Sequence, residues 1–139
     1  MAAPMFDGLG HIDLTVTDAE HSIEWWTEVM GFTVLAAAWK RPGFQGWTMV
    51  HPCGVAVTLL MHDGGDTAAF DERRVGLDHL AFHVRDNPAL EAWAAHLDAL
   101  GVEHSGIQDP ERTTGGPLIV LRDPDNIQLE LTAGWQPSP

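Results

Sequence analysis

The sequence predicts an α+β fold in which one βαβββ unit is written twice. Three observations point to it. LGHIDLTV at 9–16 recurs as LDHLAFHV at 77–84. Each copy runs into an acidic residue, Asp18 or Asp86, and then into apolar residues at helical spacing. Each helical pattern is followed by a glycine, Gly31 or Gly101.

Residues 1–8 read as a short arm. His11 to Val16 alternates strictly, with Ile12, Leu14 and Val16 on one face and His11, Asp13 and Thr15 on the other, which is a half-buried strand. Asp18 is placed to cap a helix over about 19–30, with Ile23, Trp26 and Met30 as its buried stripe and Gly31 suited to the left-handed position after it. Strands are predicted over about Phe32–Trp39, Gln45–Val50 and Val55–Met61, separated by the turns Arg41-Pro42-Gly43 and His51-Pro52-Cys53-Gly54. The first module thus covers about 8–62. Residues 63–76 are polar and contain glycine, and they read as a connector.

The second module, about 77–133, repeats the order. Its first strand is Leu77–Val84. Asn87 is the predicted cap of a helix with Pro88 at the first position, and Leu90, Trp93, Leu97 and Leu100 are its buried stripe. Strands are predicted over about Val102–Ile107, Leu118–Leu121 and Ile127–Leu131. Asp123-Pro124-Asp125-Asn126 is a tight turn with Asn126 suited to a left-handed conformation. The tail beyond Thr132, which contains Trp135, Pro137 and Pro139, is expected to be loose, with Trp135 a candidate for a dimer contact.

At 139 residues one compact domain is expected, or two half-size modules that share a core. The net charge of −13, with only seven Lys and Arg, argues against a nucleic-acid surface. It favours solubility and attraction of a cationic ligand. Cys53 is the only cysteine, so no intrachain disulfide forms, and no apolar run approaches a membrane span; with no signal-like N-terminus, a cytoplasmic protein is expected.

The chemistry lies on strand faces. His11 and His79 occupy equivalent positions of the two copies, and Glu130 lies on the last strand, opposite in face to Ile127, Leu129 and Leu131. If the modules pair by pseudo-symmetry, two histidines and one carboxylate form a metal site with open positions. The competing reading is an ordinary solvent-facing strand surface. His, Asp, Ala and Gln in place of the Lys, Arg, Glu and Thr usual there favour a lined cavity. Asp13 and His83 follow the two histidines by two positions on the same faces. Each is a candidate general acid/base, or a residue that orients a ligand, or a hydrogen-bonded cavity residue with no catalytic duty. Cys53 has no activating base evident in the sequence, His62-Asp63 reads as a strand end or pocket gate, and His21, His96 and His104 read as surface residues.

At this point the sequence resembles the vicinal oxygen chelate superfamily, the glyoxalase/bleomycin-resistance/extradiol-dioxygenase group, over nearly its full length. The resemblance is carried by GHIDLTVTD at 10–18, by Trp25-Trp26 with Met30-Gly31-Phe32, by GLDHLAFHV at 76–84, and by Arg122-Asp123-Pro124-Asp125-Asn126 leading into IQLEL at 127–131. It implies two curved half-barrel sheets around a central cavity with helices outside, closed within or across a homodimer. It also implies a divalent metal, Fe2+, Mn2+, Ni2+ or Zn2+, bound by His11, His79 and Glu130 and chelating vicinal oxygens of a small substrate. The family's fourth-strand ligand maps to Leu59 or its neighbour Thr58, and its pocket wall to Trp39, Trp47, Leu59 and Met61.

Neither Leu59 nor Thr58 is a carboxylate, which argues against glyoxalase I itself. Asp13 replaces the Thr of the fosfomycin enzymes resembling glutathione transferases, and no Tyr matches the one common in extradiol dioxygenases. The resemblance therefore implies a metal-dependent enzyme of dioxygenase, lyase or isomerase type. The alternative is a metal-free protein, like the bleomycin-resistance members, that sequesters a cationic aromatic drug against its tryptophans.

Overall fold

The computed structural model describes residues 3–36, 38–109 and 116–134. The chain divides into two compact units, Met1–Thr67 and Ala68–Pro139. Among the described residues no helix is long and apolar enough to cross a membrane. Trp135, Pro137 and Pro139 lie outside the described residues.

In unit 1, β1 (Ile12–Thr15) is followed by α1 (Ala19–Glu28), β2 (Thr33–Val34), β3 (Trp39–Arg41), β4 (Phe44–Val50) and β5 (Ala56–His62). The sheet runs β1-β5-β4-β2, with β3 also paired to β4; β1 is parallel to β5 and the rest are antiparallel. Asp18 caps α1 by accepting the His21 N–H at 3.1 Å. Gly31 takes a left-handed φ of 73°, and the Phe32 N–H closes back on the Trp26 carbonyl at 3.1 Å. Trp26 is fully buried and meets Phe32 edge-on at 5.3 Å. Phe32 thereby belongs to the core under α1, and the predicted strand Phe32–Trp39 is observed as two short ones.

In unit 2, β6 (Leu80–Val84) precedes α2 (Asn87–Leu100), β7 (Leu118–Arg122) and β8 (Gln128–Ala133). The sheet order is β6-β8-β7, with β6 parallel and β7 antiparallel to β8. Ile119, Leu121, Leu129 and Leu131 are buried on one face with Leu90 and Leu97 of α2, while Leu100 is exposed. The cap of α2 is Asp86, not Asn87: its carboxylate accepts the Ala89 N–H at 3.0 Å, and Asn87 is already helical.

The predicted strand Val102–Ile107 is absent. Only isolated bridges, His104 to Leu121 and Gln108 to Leu118, remain of it. Gly106 takes a φ of 69°, and its N–H is bonded to His104 Nδ1 at 3.1 Å, so local side-chain bonding interrupts a ladder of which the Ser105–Val120 and Gln108–Leu118 backbone bonds remain.

The Asp123–Asn126 turn forms as predicted. Asp123 is buried, and its Oδ1 accepts the N–H groups of Asp125 at 3.0 Å and Ile127 at 2.8 Å. Asn126 adopts φ 68°. Its side chain donates to the Phe70 carbonyl at 2.8 Å, and the Phe70 N–H donates to the Asp125 carbonyl at 2.8 Å, docking the connector onto this turn.

Candidate functional site

Unit 2 brings His79 and Glu130 together. β6 starts at Leu80, so Asp78 and His79 precede the ladder and their side chains are free of strict alternation. His79 Nδ1 lies 2.6 Å from Asp78 Oδ1. A carboxylate only accepts, so Nδ1 is the donor to Asp78, and the ring's other nitrogen is Nε2. That Nε2 stands 3.5 Å from Glu130 Oε2. Glu130 lies mid-strand in β8, opposite Ala81 of β6 and Val120 of β7, with its side chain only 15% exposed against 37% for His79.

This pair suits a divalent first-row ion. Imidazole nitrogen and carboxylate oxygen are matched donors, and their 3.5 Å separation is that of two donors each about 2.1 Å from a shared ion. Asp78 stands where an outer carboxylate would orient a ligating histidine. His83 shares this face, paired with Thr132, and is exposed.

In unit 1, His11 precedes β1 and its Nε2 lies 3.6 Å from Asp13 Oδ1, with the two side chains 64% and 40% exposed. Asp13 pairs with Thr58 in the parallel ladder, so Thr58 is the β5 residue on the histidine's face. Thr58 is buried, and its hydroxyl is 3.4 Å from that of Thr48. Among the described residues, no three His, Cys, Asp or Glu side chains form one metal-holding group.

Several expectations need correction. Leu59 pairs with Leu14 and Trp47, on the face opposite Asp13, and is 0% exposed. Met61 lies on that same face, its sulfur accepting the Ala19 N–H of α1 at 3.3 Å. Trp47, Leu59 and Met61 are therefore on the helix-packed side. Strand membership alone does not select a pocket wall; the period of two does. Trp39 pairs with Gly46, which pairs with Leu60, and so it shares the face of Asp13, Thr15 and Thr58. His104 is not a surface residue: its side chain is 10% exposed, with Nε2 3.2 Å from Asp98. Cys53 has a base beside it, His51 Nδ1 at 2.9 Å from its sulfur.

The sequence reading missed Asp78 as a partner of His79. Its signal was adjacency at a strand's start, where neighbouring side chains are not yet forced to opposite faces. It also missed Arg122, which binds Glu72 of the connector through two oxygens at 2.9 and 3.0 Å. No local pattern links residues so far apart.

A family model, the Glyoxalase/Bleomycin resistance protein/Dioxygenase superfamily, matches residues 8–131. The glyoxylase/bleomycin resistance protein/dioxygenase domain from Frankia sp. EAN1pec is 34% identical, with a TM-score of 0.83 over 94% of this chain and 99% of that one. The Bacillus subtilis (strain 168) protein named "Putative ring-cleaving dioxygenase MhqA" is 28% identical over 131 residues, 91% of this chain; the chain spans 40% of that protein's length. In fold, the chain is also like the fosfomycin resistance protein FosX from Listeria monocytogenes, solved with Mn(II) and sulfate: 21% identity, TM-score 0.66, 94% of each chain.

Proposed function

The chain belongs to the glyoxalase/bleomycin resistance protein/dioxygenase superfamily, and we propose that it is a divalent-metal-dependent enzyme acting on a small substrate through two adjacent oxygens. The proposed reaction is of dioxygenase, lyase or isomerase type, and not that of glyoxalase I. The observation that carries this reading is the state of His79: Nδ1 held by Asp78 at 2.6 Å, Nε2 turned toward Glu130 at 3.5 Å. An imidazole held in this way beside a carboxylate is a ready pair of metal donors.

His11, His79 and Glu130 would hold the ion, with Fe2+, Mn2+, Ni2+ and Zn2+ as the candidates. When bound, it supplies Lewis acidity to substrate oxygens. The chain's own groups do the rest. Asp78 keeps the Nδ1 proton and so keeps Nε2 available. Asp13, 3.6 Å from His11 Nε2, and His83 are the proposed proton carriers. Thr58, on the face of Asp13, is neutral and leaves the fourth-strand position without a carboxylate. That absence separates this site from a four-ligand one and supports a three-ligand reading. The reading includes a homodimer in the cytoplasm.

The test is metal content by mass spectrometry, on protein as purified and after anaerobic loading with each of the four ions. About one ion per chain is expected for the natural sequence, with loss in Glu130→Ala and His79→Ala. No uptake of any ion, together with chelator-insensitive quenching of tryptophan fluorescence by a cationic aromatic drug, overturns the proposal in favour of sequestration.

A further inference from the structure

Glu130 is reached by a chain of side chains that starts in the connector. Arg122, at the end of β7, pairs with Gln128 at the start of β8, on the same face as Glu130. Its Nη1 donates to Glu72 Oε2 and to the Asn126 carbonyl, both at 3.0 Å. Its Nη2 donates to Glu72 Oε1 at 2.9 Å and to Gln128 Oε1 at 2.8 Å. A guanidinium has five N–H donors, and these four contacts engage both terminal nitrogens within unit 2. Arg122 is therefore a clamp rather than a receptor held open for an anionic ligand.

Arginine only donates, so the oxygen of the Gln128 amide, and not its nitrogen, must face it. The amide nitrogen is thereby turned toward Glu130, 3.5 Å from its Oε1, a contact longer than the usual range of about 2.7–3.2 Å. The other oxygen of Glu130, Oε2, is the one beside His79 Nε2. One oxygen faces the Gln128 amide and the other faces His79.

We propose that Gln128, clamped by Arg122 and Glu72, is a positioning residue that orients the Glu130 carboxylate for metal binding. The role rests on the metal-binding reading above. It assigns the connector a part in the site, because Glu72 lies in the segment that Phe70 docks onto the Asp123–Asn126 turn. A carboxylate free to rotate samples orientations in which neither oxygen meets its ion, whereas a tethered one loses less freedom on binding.

The experiment is a Co(II) titration of the full chain, followed by calorimetry and by visible absorption, for the natural sequence, Gln128→Met and Glu72→Gln. Methionine keeps the length of Gln128 but neither donates to Glu130 nor accepts strongly from Arg122. Gln128→Met is expected to bind Co(II) about 10- to 100-fold more weakly, with an altered absorption band, as for loss of an outer-shell partner. Glu72→Gln acts one contact further out and is expected to cost about threefold. Because it keeps the size of Glu72 and changes only the outer end of the clamp, it decides the question should Gln128→Met fail to fold. A lowered metal-free melting temperature with Co(II) affinity within about twofold and the band unchanged would show a structural role only, and overturns the positioning role alone. A natural chain that takes up no Co(II) overturns the metal reading and this role with it.

Discussion

Arg122 and Glu72, 50 positions apart in sequence, meet in a two-pronged ion pair with separations of 3.0 and 2.9 Å. The Arg122 guanidinium, helped by Glu72's own backbone N–H, lowers the Glu72 carboxyl from 4.5 to about 2. A carboxyl lowered on folding contributes stability that is complete above its unfolded value. That contribution is lost as the pH falls through the folded one. The clamp is therefore expected to be intact at pH 5, to contribute less stability as the pH falls from about 4.5 toward 2, and to open near pH 2. Carbon-13 titration of the Glu72 carboxyl should show a midpoint near 2, and amide exchange at Phe70 should accelerate over the same range. A Glu72 midpoint at the ordinary glutamate value would refute the assignment.

The helix cap can be read out by a pair of variants. Asp86→Ala removes the acceptor of the Ala89 N–H and should cost about 1 kcal/mol. Asn87→Ala changes a residue already inside α2 and should stay within about 0.5 kcal/mol. Urea denaturation with a constant slope measures both. The opposite ranking would restore Asn87 as the cap.

Gly46 is where β4 admits the Trp39 ring. A Cβ there would stand 2.6 Å from Trp39 Cζ2 and 2.8 Å from Leu60 Cδ2. Trp39 is further held edge-on to Phe44 at 5.8 Å, with Arg41 over its ring at 5.7 Å. Gly46→Ala should therefore displace the indole and destabilise the protein by about 1–3 kcal/mol. A shifted Trp39 indole N–H resonance would accompany the loss. An unmoved resonance with full stability would mean that the ring does not pack on the strand.

A few neighbouring residues suffice to specify the local features of this protein. The alternation of His11 to Val16 assigned faces that hold in β1, with Leu14 and Val16 buried and Asp13 exposed. The left-handed turns at Gly31 and Asn126 were legible because only certain residues adopt that backbone without strain. The opposite faces of β8, Leu129 and Leu131 against Glu130, were legible for the same local reason.

Tertiary structure decided what depends on pairing between distant segments. Only the β4–β5 register places Trp47, Leu59 and Met61 on the helix-packed side and leaves Thr58 beside Asp13. Whether Val102–Ile107 pairs as a strand was settled by competition with side-chain bonds from His104 and Ser105. Asp78 reaches His79 because the ladder begins one residue later. Arg122 finds Glu72 because the Asp123–Asn126 turn anchors the connector. Local conformational preference is written in a few adjacent residues. Register and long-range ion pairs exist only once the backbone has brought remote segments within contact distance, so the period of the sequence carries no direct record of them.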